Sequence, residues 1–264
     1  DDSDSTVYYE PGCITVNGKD GYKYIQDAVT VAEEGSVILL CNGTYEEAVT
    51  VDKGVEIVGE SREGVTVSAP ANSAAFTITG TGANVHTLSI LTGKDGVVFD
   101  GASNSVVSDV TINEAPNYTV SFNNSTDVSV EDCSIDLPGY TAIKGNGGSG
   151  TVARCSITHA TSVAVDVLGG MDLTLDSNVI DGVLATTDED GSAIHAIDSS
   201  LTMLNNQILS ADFIGVDADT SDLSMSGDQI SNTLVAVRVV DGDFTGTGLT
   251  ISENSIVGMI LISP

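Results

Sequence analysis

From residue 85 onward the chain repeats one short apolar–polar phrase: VHTLSI, VVSDVTI, VSVEDCSI, TVARCSI, LTLDSNVI, LTMLNNQI, LSMSGDQI and FTGTGLTI. Each phrase ends on isoleucine, at Ile90, Ile112, Ile135, Ile157, Ile180, Ile208, Ile230 and Ile251, with spacings of 22, 23, 22, 23, 28, 22 and 21. A second apolar stretch follows each anchor, at Val98, Val120, Ile143, Val165, Ile194, Val216, Val237 and Met259. Within these stretches apolar and polar residues alternate, as in Leu173-Thr174-Leu175 and Val235-Ala236-Val237. That period of two places one face inside and one outside. Each unit therefore holds two or three short strands joined by Gly/Asn/Asp/Ser turns.

A unit of about 22 residues cannot bury its apolar face alone; stacked in register on its neighbours, at about 4.8 Å per coil, it can. A leucine-rich repeat would show an asparagine ladder and a leucine pattern that are missing, and a propeller blade needs about 40 residues. The spacing predicts one all-β domain, a right-handed parallel β-helix of about ten coils of 21–23 residues. The 28-residue interval marks one insertion, TTDEDG at 186–191, which projects as a loop.

The position two before each anchor reads Leu88, Val110, Cys133, Cys155, Asn178, Asn206, Asp228 and Leu249. Two readings stand. Either the column faces inward and Asn178 and Asn206 share amide hydrogen bonds, or it sits at a corner where Asn suits the bend; the second is preferred.

The beginning differs. Ile14-Thr15-Val16 reads as a lone strand, and Tyr22, Ile25, Ala28, Val29 and Ala32 recur at helical spacing before Gly35. A short amphipathic helix here covers the first coil, whose bare edge would invite aggregation. Residues 1–35 thus form an N-terminal strand and cap, and 36–264 the coils, beginning with strands at 36–41, 46–51, 54–60 and 65–68.

Residues 22–61, YKYIQDAVTVAEEGSVILLCNGTYEEAVTVDKGVEIVGES, resemble the opening of pectin-lyase-like proteins, including pectin methylesterases, pectate lyases and NosD-like surface proteins. The shared pattern is an Ile-Gln-x-Ala helix, Gly-x-x-Ile/Val, Gly-Thr-Tyr-x-Glu and an apolar strand ending in Gly. The resemblance implies the same β-helix, a fold that carries lyases, hydrolases, esterases, adhesins and structural proteins. Residues 211–215, ADFIG, are similar to a pectin methylesterase motif and make Asp212 a catalytic candidate, against a role in a turn. The partner motifs Gln-Asp-Thr-Leu and Leu-Trp-Gly-Arg are missing; the chain has no Trp.

Charge changes the picture. Thirty-eight acids against eight Lys and Arg give a net charge of −30, which repels nucleic acid and acidic polysaccharides alike. Asp166, Asp198, Asp217 and Asp241 all follow second strands and read as solvated corner residues, with a paired-carboxylate cleft as the alternative. No two histidines are spaced as ligands of a transition metal. Calcium suits the acids better, on Asp217, Asp219 and Asp222 or on Asp188 and Asp190, though neither cluster is an EF-hand loop.

Cys133 and Cys155 share a column one coil apart and read equally as a disulfide or as two reduced, buried thiols. Cys13 and Cys41 read as a disulfide tying the first strand to the next. Sequons at Asn42, Asn117, Asn123 and Asn124 are glycosylation candidates. No stretch approaches the roughly 18 apolar residues of a membrane span. With no Met at the start, the sequence reads as an exported chain whose signal has been removed.

These features favour a non-enzymatic extracellular or cell-surface protein that is structural, adhesive or filament-forming. Its ends would pair head to tail through Tyr8, Tyr9, Ile260 and Ile262. The alternatives are a polysaccharide-active enzyme of lyase, hydrolase or esterase type, and a module that binds Ca²⁺ or a glycan.

Overall fold

The computed structural model describes residues 12–91, 93–113, 115–136, 139–185 and 191–262. Each coil contributes three strands, and strands in equivalent positions pair in parallel with the coils above and below. Three faces result: a first sheet, an anchor sheet and a third sheet. Every isoleucine anchor opposes the next, Ile90–Ile112–Ile135–Ile157–Ile180–Ile208–Ile230–Ile251. In the third sheet Val120, Ile143, Val165, Ile194, Val216, Val237 and Met259 are in register as expected. The first member is displaced by one residue. Val97, fully buried, opposes Val120, while Val98 faces outward.

A single backbone device turns each coil into its anchor strand. The residue three before every anchor has positive φ: Thr87, Asp109, Asp132, Arg154, Ser177, Asn205, Gly227 and Gly248. This left-handed conformation reverses the chain sharply, and the types found there are mostly Asn, Asp, Ser and Gly, which tolerate it. The next residue then points inward, which merges the two readings of the column two before each anchor. Asn178 and Asn206 lie beside the bend, are 1% exposed and do share amide bonds.

The N-terminal strand, Ile14–Val16, is not alone as expected; it pairs antiparallel with Lys19–Tyr22 and with Val37–Leu40. Helix α1, Ile25–Val31, buries Ile25, Ala28 and Val29 against the first coil. No side chain of its own N-cap, Tyr24, satisfies its first amides. Glu47, from the next turn of chain, does so instead, accepting the Ile25 N–H at 2.8 Å and the Gln26 N–H at 3.1 Å. A carboxylate there also suits the helix dipole.

Cys13 and Cys41 are disulfide-bonded, with Cα atoms 5.9 Å apart. Cys133 and Cys155 are buried free thiols in the structure. A hydrogen bond shared with Cys155, and then burial, push the Cys133 thiol up. Inside the stack the rings of Phe99 and Phe122 lie 5.4 Å apart. Gly145 ends that column, where a Cβ would meet Met171 Cγ at 3.1 Å. Stacked rings and β-branched layers thus do the work of an aromatic centre in a chain without Trp.

Candidate functional site

The outward positions of the third sheet carry the chemistry. One residue beyond each buried apolar position runs a single column: Thr77, Val98, Ser121, Lys144, Asp166, His195, Asp217, Arg238 and Ile260. Five consecutive coils therefore present Lys, Asp, His, Asp and Arg as rungs of one ladder. Parallel in-register pairing places each rung directly over the next, because outward side chains of equivalent residues stack at the coil spacing.

The rungs are joined. Lys144 Nζ donates to Asp166 Oδ2 at 2.9 Å, and Asp166 Oδ1 lies 3.0 Å from His195 Nδ1. Arg238 donates from Nε and Nη2 to the two oxygens of Asp217, both at 2.7 Å, a bidentate fork. The carboxylates are the buried members, with side chains 14% exposed at Asp166 and 8% at Asp217. The cations stand further out, at 23% for Lys144, 30% for His195 and 38% for Arg238.

The charges bias one another. His195 is held above the usual histidine value, chiefly by its bond to Asp166, with burial opposing. Burial alone would raise Asp166, but His195 and Lys144 outweigh it and leave the carboxyl below its ordinary value. Burial would likewise lower Lys144; Asp166 and the nearby phenols reverse that, and its pKa is raised. Arg238 is raised by its fork to Asp217. With Nδ1 turned to a carboxylate, His195 keeps Nε2 as its second ring nitrogen for a proton.

Aromatic residues flank the Lys144 end. Its ammonium lies 5.2 Å from the centre of the Tyr118 ring, and Tyr118 meets Tyr140 edge to face at 6.3 Å. Buried Asp95 fixes the Tyr118 backbone, accepting its N–H at 3.1 Å and Asn117 Nδ2 at 2.8 Å. Half-exposed Tyr140 completes an apolar shelf beside a cation, an arrangement that suits the face of a sugar ring.

Of the residues singled out from the sequence, Asp166 and Asp217 belong to this constellation, and Arg238 takes both Asp217 oxygens. Asp219 follows on the same strand, and Asp222 Oδ1 accepts the Asp243 N–H at 3.2 Å. Among the described residues no group of three or more His, Cys, Asp or Glu converges as a metal site. Asp188 and Asp190 lie outside the described residues. Asp212 is exposed and closes a turn, its Oδ2 accepting the Ala185 N–H at 2.8 Å. Asp198 and Asp241 are corner residues with positive φ, as expected, but Asp166 and Asp217 are mid-strand rungs.

Asn42 and Asn124 are exposed and Asn123 half-buried, while the Asn117 amide is engaged by Asp95. Tyr8 and Tyr9 lie outside the described residues. Ile260 continues the ladder column below Arg238, and Ile262 is 50% exposed at the end of the strand Val257–Ile262. No described helix is long and apolar enough to cross a membrane.

Lys144, His195 and Arg238, with Tyr118 and Tyr140, were the residues that sequence reasoning missed. Their signal is the position after each inward residue of the third sheet.

Solved structures share this architecture over about nine-tenths of the chain. An alginate lyase from Paenibacillus sp. str. FPU-7 superposes with a TM-score of 0.78 at 13% identity, covering 90% of this chain and 96% of that one. The A-module of the Azotobacter vinelandii mannuronan C-5 epimerase AlgE6 gives 0.73 at 13%, covering 89% and 73%. Pectate lyase Pel9A gives 0.68 at 11%, covering 89% and 72%. No curated protein sequence matches the chain.

These likenesses correct the leaning toward a non-enzymatic protein. That leaning rested on missing catalytic motifs, whereas the structures that share the fold are named as polysaccharide-modifying enzymes, and the ladder assembles ionisable groups from five coils without any local motif. At 11–13% identity the likeness itself establishes the fold. The model of the right handed beta helix region matches residues 29–180 and 95–262, and the chain belongs to that family.

Proposed function

We propose that the chain is a polysaccharide-active enzyme that works on uronate-containing chains at the Lys144–Arg238 ladder. The observation that carries this reading is the hydrogen-bonded run Lys144–Asp166–His195, continued on the next two coils by the Asp217–Arg238 fork on the same outer face. Beyond residue 100 the chain has three Lys and Arg, and two of them stand on this column. In a protein of net charge −30 that placement concentrates cations where an acidic substrate would lie.

The chemistry favours removal of a proton next to a carboxylate over hydrolysis. Glycoside hydrolysis needs one carboxylic acid that stays protonated and one carboxylate. Asp166 is held ionised by two cationic partners, and Asp217 is clamped by Arg238. In the elimination reading, Lys144 neutralises the uronate carboxylate and makes the C5 proton acidic. His195 Nε2 takes that proton, with Asp166 holding the ring and stabilising the imidazolium. The C5–H electron pair forms the C4=C5 double bond, and the C4–O4 bond breaks with its pair going to oxygen. The proton on His195 then passes to that oxygen. Return of a proton to C5 from the other face, without loss of O4, would give epimerisation instead.

Three features support export: the disulfide, the acidic surface and a polymeric substrate. The test is a screen of soluble polyuronates and neutral polysaccharides, read by the ultraviolet absorbance of unsaturated ends and by NMR at C5. Turnover of a polyuronate that disappears in His195→Gln supports the reading. Activity confined to neutral glycans, or undiminished in His195→Gln, overturns it.

A further inference from the structure

The ladder alternates in sign. Cations occupy every second rung, at Lys144, His195 and Arg238, and carboxylates the rungs between, at Asp166 and Asp217. With coils about 4.8 Å apart, like charges recur about every 10 Å along the solenoid axis. The donors are also not exhausted. An ammonium has three, of which Lys144 directs one to Asp166; a guanidinium has five, of which Arg238 directs two to Asp217; and His195 keeps Nε2.

An extended 1,4-linked chain with two-fold symmetry turns each sugar over relative to the last, so its carboxylates face one side at every second unit. One pyranose unit also advances such a chain by about as much as one coil advances the solenoid. We infer that the ladder reads a two-fold acidic polysaccharide lying along the axis, one sugar per coil. Lys144 and Arg238 meet the carboxylates of alternate units, and His195, between them, faces the unit whose C5 proton it takes. Asp166 and Asp217 face the units between, whose hydroxyls donate to them and whose carboxylates point away. The Tyr118–Tyr140 shelf takes the next sugar beyond Lys144. Arg238 is then a specificity-determining residue that acts only on chains long enough to reach it. This assignment rests on the substrate reading proposed above and goes beyond it by fixing orientation, register and symmetry.

Size-defined oligouronates from three to seven units test it, with carboxyl-reduced neutral counterparts of the same lengths. In the wild-type protein kcat/KM should climb up to five or six units and level off. Arg238→Gln should lose about tenfold more on the pentamer than on the trimer, the value of one charge-assisted contact. Because Arg238→Gln strands a buried carboxylate, the double variant Asp217→Asn/Arg238→Gln and the charge-preserving Arg238→Lys accompany it, each with a melting temperature. Arg238→Lys should recover part of the loss, and the double variant should behave as Arg238→Gln. The inference is overturned if trimer and pentamer lose equally, or if the neutral pentamer binds as tightly as the acidic one in calorimetry. Turnover without length dependence sinks the register alone. An absence of both turnover and calorimetric binding for every oligouronate sinks the underlying substrate reading with it.

Discussion

Two polar columns run through the same solenoid, and each uses one side chain per coil. The inner column descends from Cys155 through Asn178 and Asn206 to Asp228. Asn178 Oδ1 accepts the Cys155 N–H at 2.9 Å; Asn206 Oδ1 accepts the Asn178 N–H at 2.9 Å and its Nδ2 at 3.0 Å; Asp228 Oδ1 accepts the Asn206 N–H at 2.7 Å and its Nδ2 at 2.9 Å. The remaining amide hydrogens go to the carbonyls of Val152 and Leu175. The outer column, Lys144 to Arg238, is also bonded between rungs, from Lys144 through Asp166 to His195 and from Asp217 to Arg238, yet its cations stay 23–38% exposed and retain donors. Stacking alone therefore does not distinguish structure from function. What distinguishes them is whether the hydrogen bonds close. A column that satisfies every donor inside the core fixes a corner; one that leaves donors toward water is available to a ligand.

Breaking the outer column should cost activity and spare the fold. His195→Gln is expected to lower kcat by about 10²–10⁴-fold, the usual worth of a positioned proton carrier, with a melting temperature close to wild type. Activity assays and thermal unfolding on one preparation check both halves. Loss of fold alongside loss of turnover would erase the contrast.

Breaking the inner column should do the reverse. Asn206→Leu removes the acceptor of two Asn178 donors and the donor to the Leu175 carbonyl, and takes the side-chain donor from Asp228 Oδ1 while the backbone N–H of residue 206 stays. At about 1–3 kcal/mol for each buried group left unsatisfied, the variant should lose roughly 3–5 kcal/mol in denaturant unfolding. Activity per folded molecule should be unchanged. A loss below 1 kcal/mol would show that water enters the corner and that the column is not closed.

The disulfide sharpens the comparison at the N-terminal end. Cys13 and Cys41 are 28 residues apart in sequence, and loop-closure entropy assigns such a bond about 3–4 kcal/mol. Cys13→Ser should destabilise by up to that amount and expose the first coil to protease. Reductant should have the same effect on the wild type and none on Cys13→Ser/Cys41→Ser.

The smallest effect expected is on pH. Asp166 is depressed, so its contribution is present above the carboxylate's unfolded value and is lost as pH falls through the lower folded value. His195 is raised, so its contribution is full below the unfolded value of about 6.5 and fades as pH rises through the higher folded value. Between those limits the Asp166–His195 pair supports the fold, by less than about 1 kcal/mol because both groups are partly hydrated. His195→Gln should lower the melting temperature slightly at mildly acid pH, where the His195 contribution is full, and leave alkaline stability nearly as before, so the fall on the alkaline side flattens.

The fold was legible because inward positions are forced to repeat. Stacked isoleucines must fill the same space in every coil, so Ile112 and Ile135 announce one another across 23 residues. The cap was legible for the same reason, through the buried spacing of Ile25, Ala28 and Val29. Outward positions carry no such constraint. Lys144, Asp166, His195, Asp217 and Arg238 share a column without sharing a residue type, and periodicity does not find them. Placing the second-strand series on Val98 also hid the offset between inner and outer columns at its first member. The acids were visible, yet composition alone ranks Asp166 with Asp198, and only the strand register separates a rung from a corner.

The left-handed residue before each anchor has a further consequence. Since every coil re-enters at the same dihedral state, the stretch from one such residue to the next is an interchangeable cassette. Duplicating it extends the molecule by one storey with both seams already compatible, and a new outward residue arrives on the façade at no cost to the interior. A solenoid of this kind lengthens by copying, and changes its outer face by editing a single exposed letter per copy.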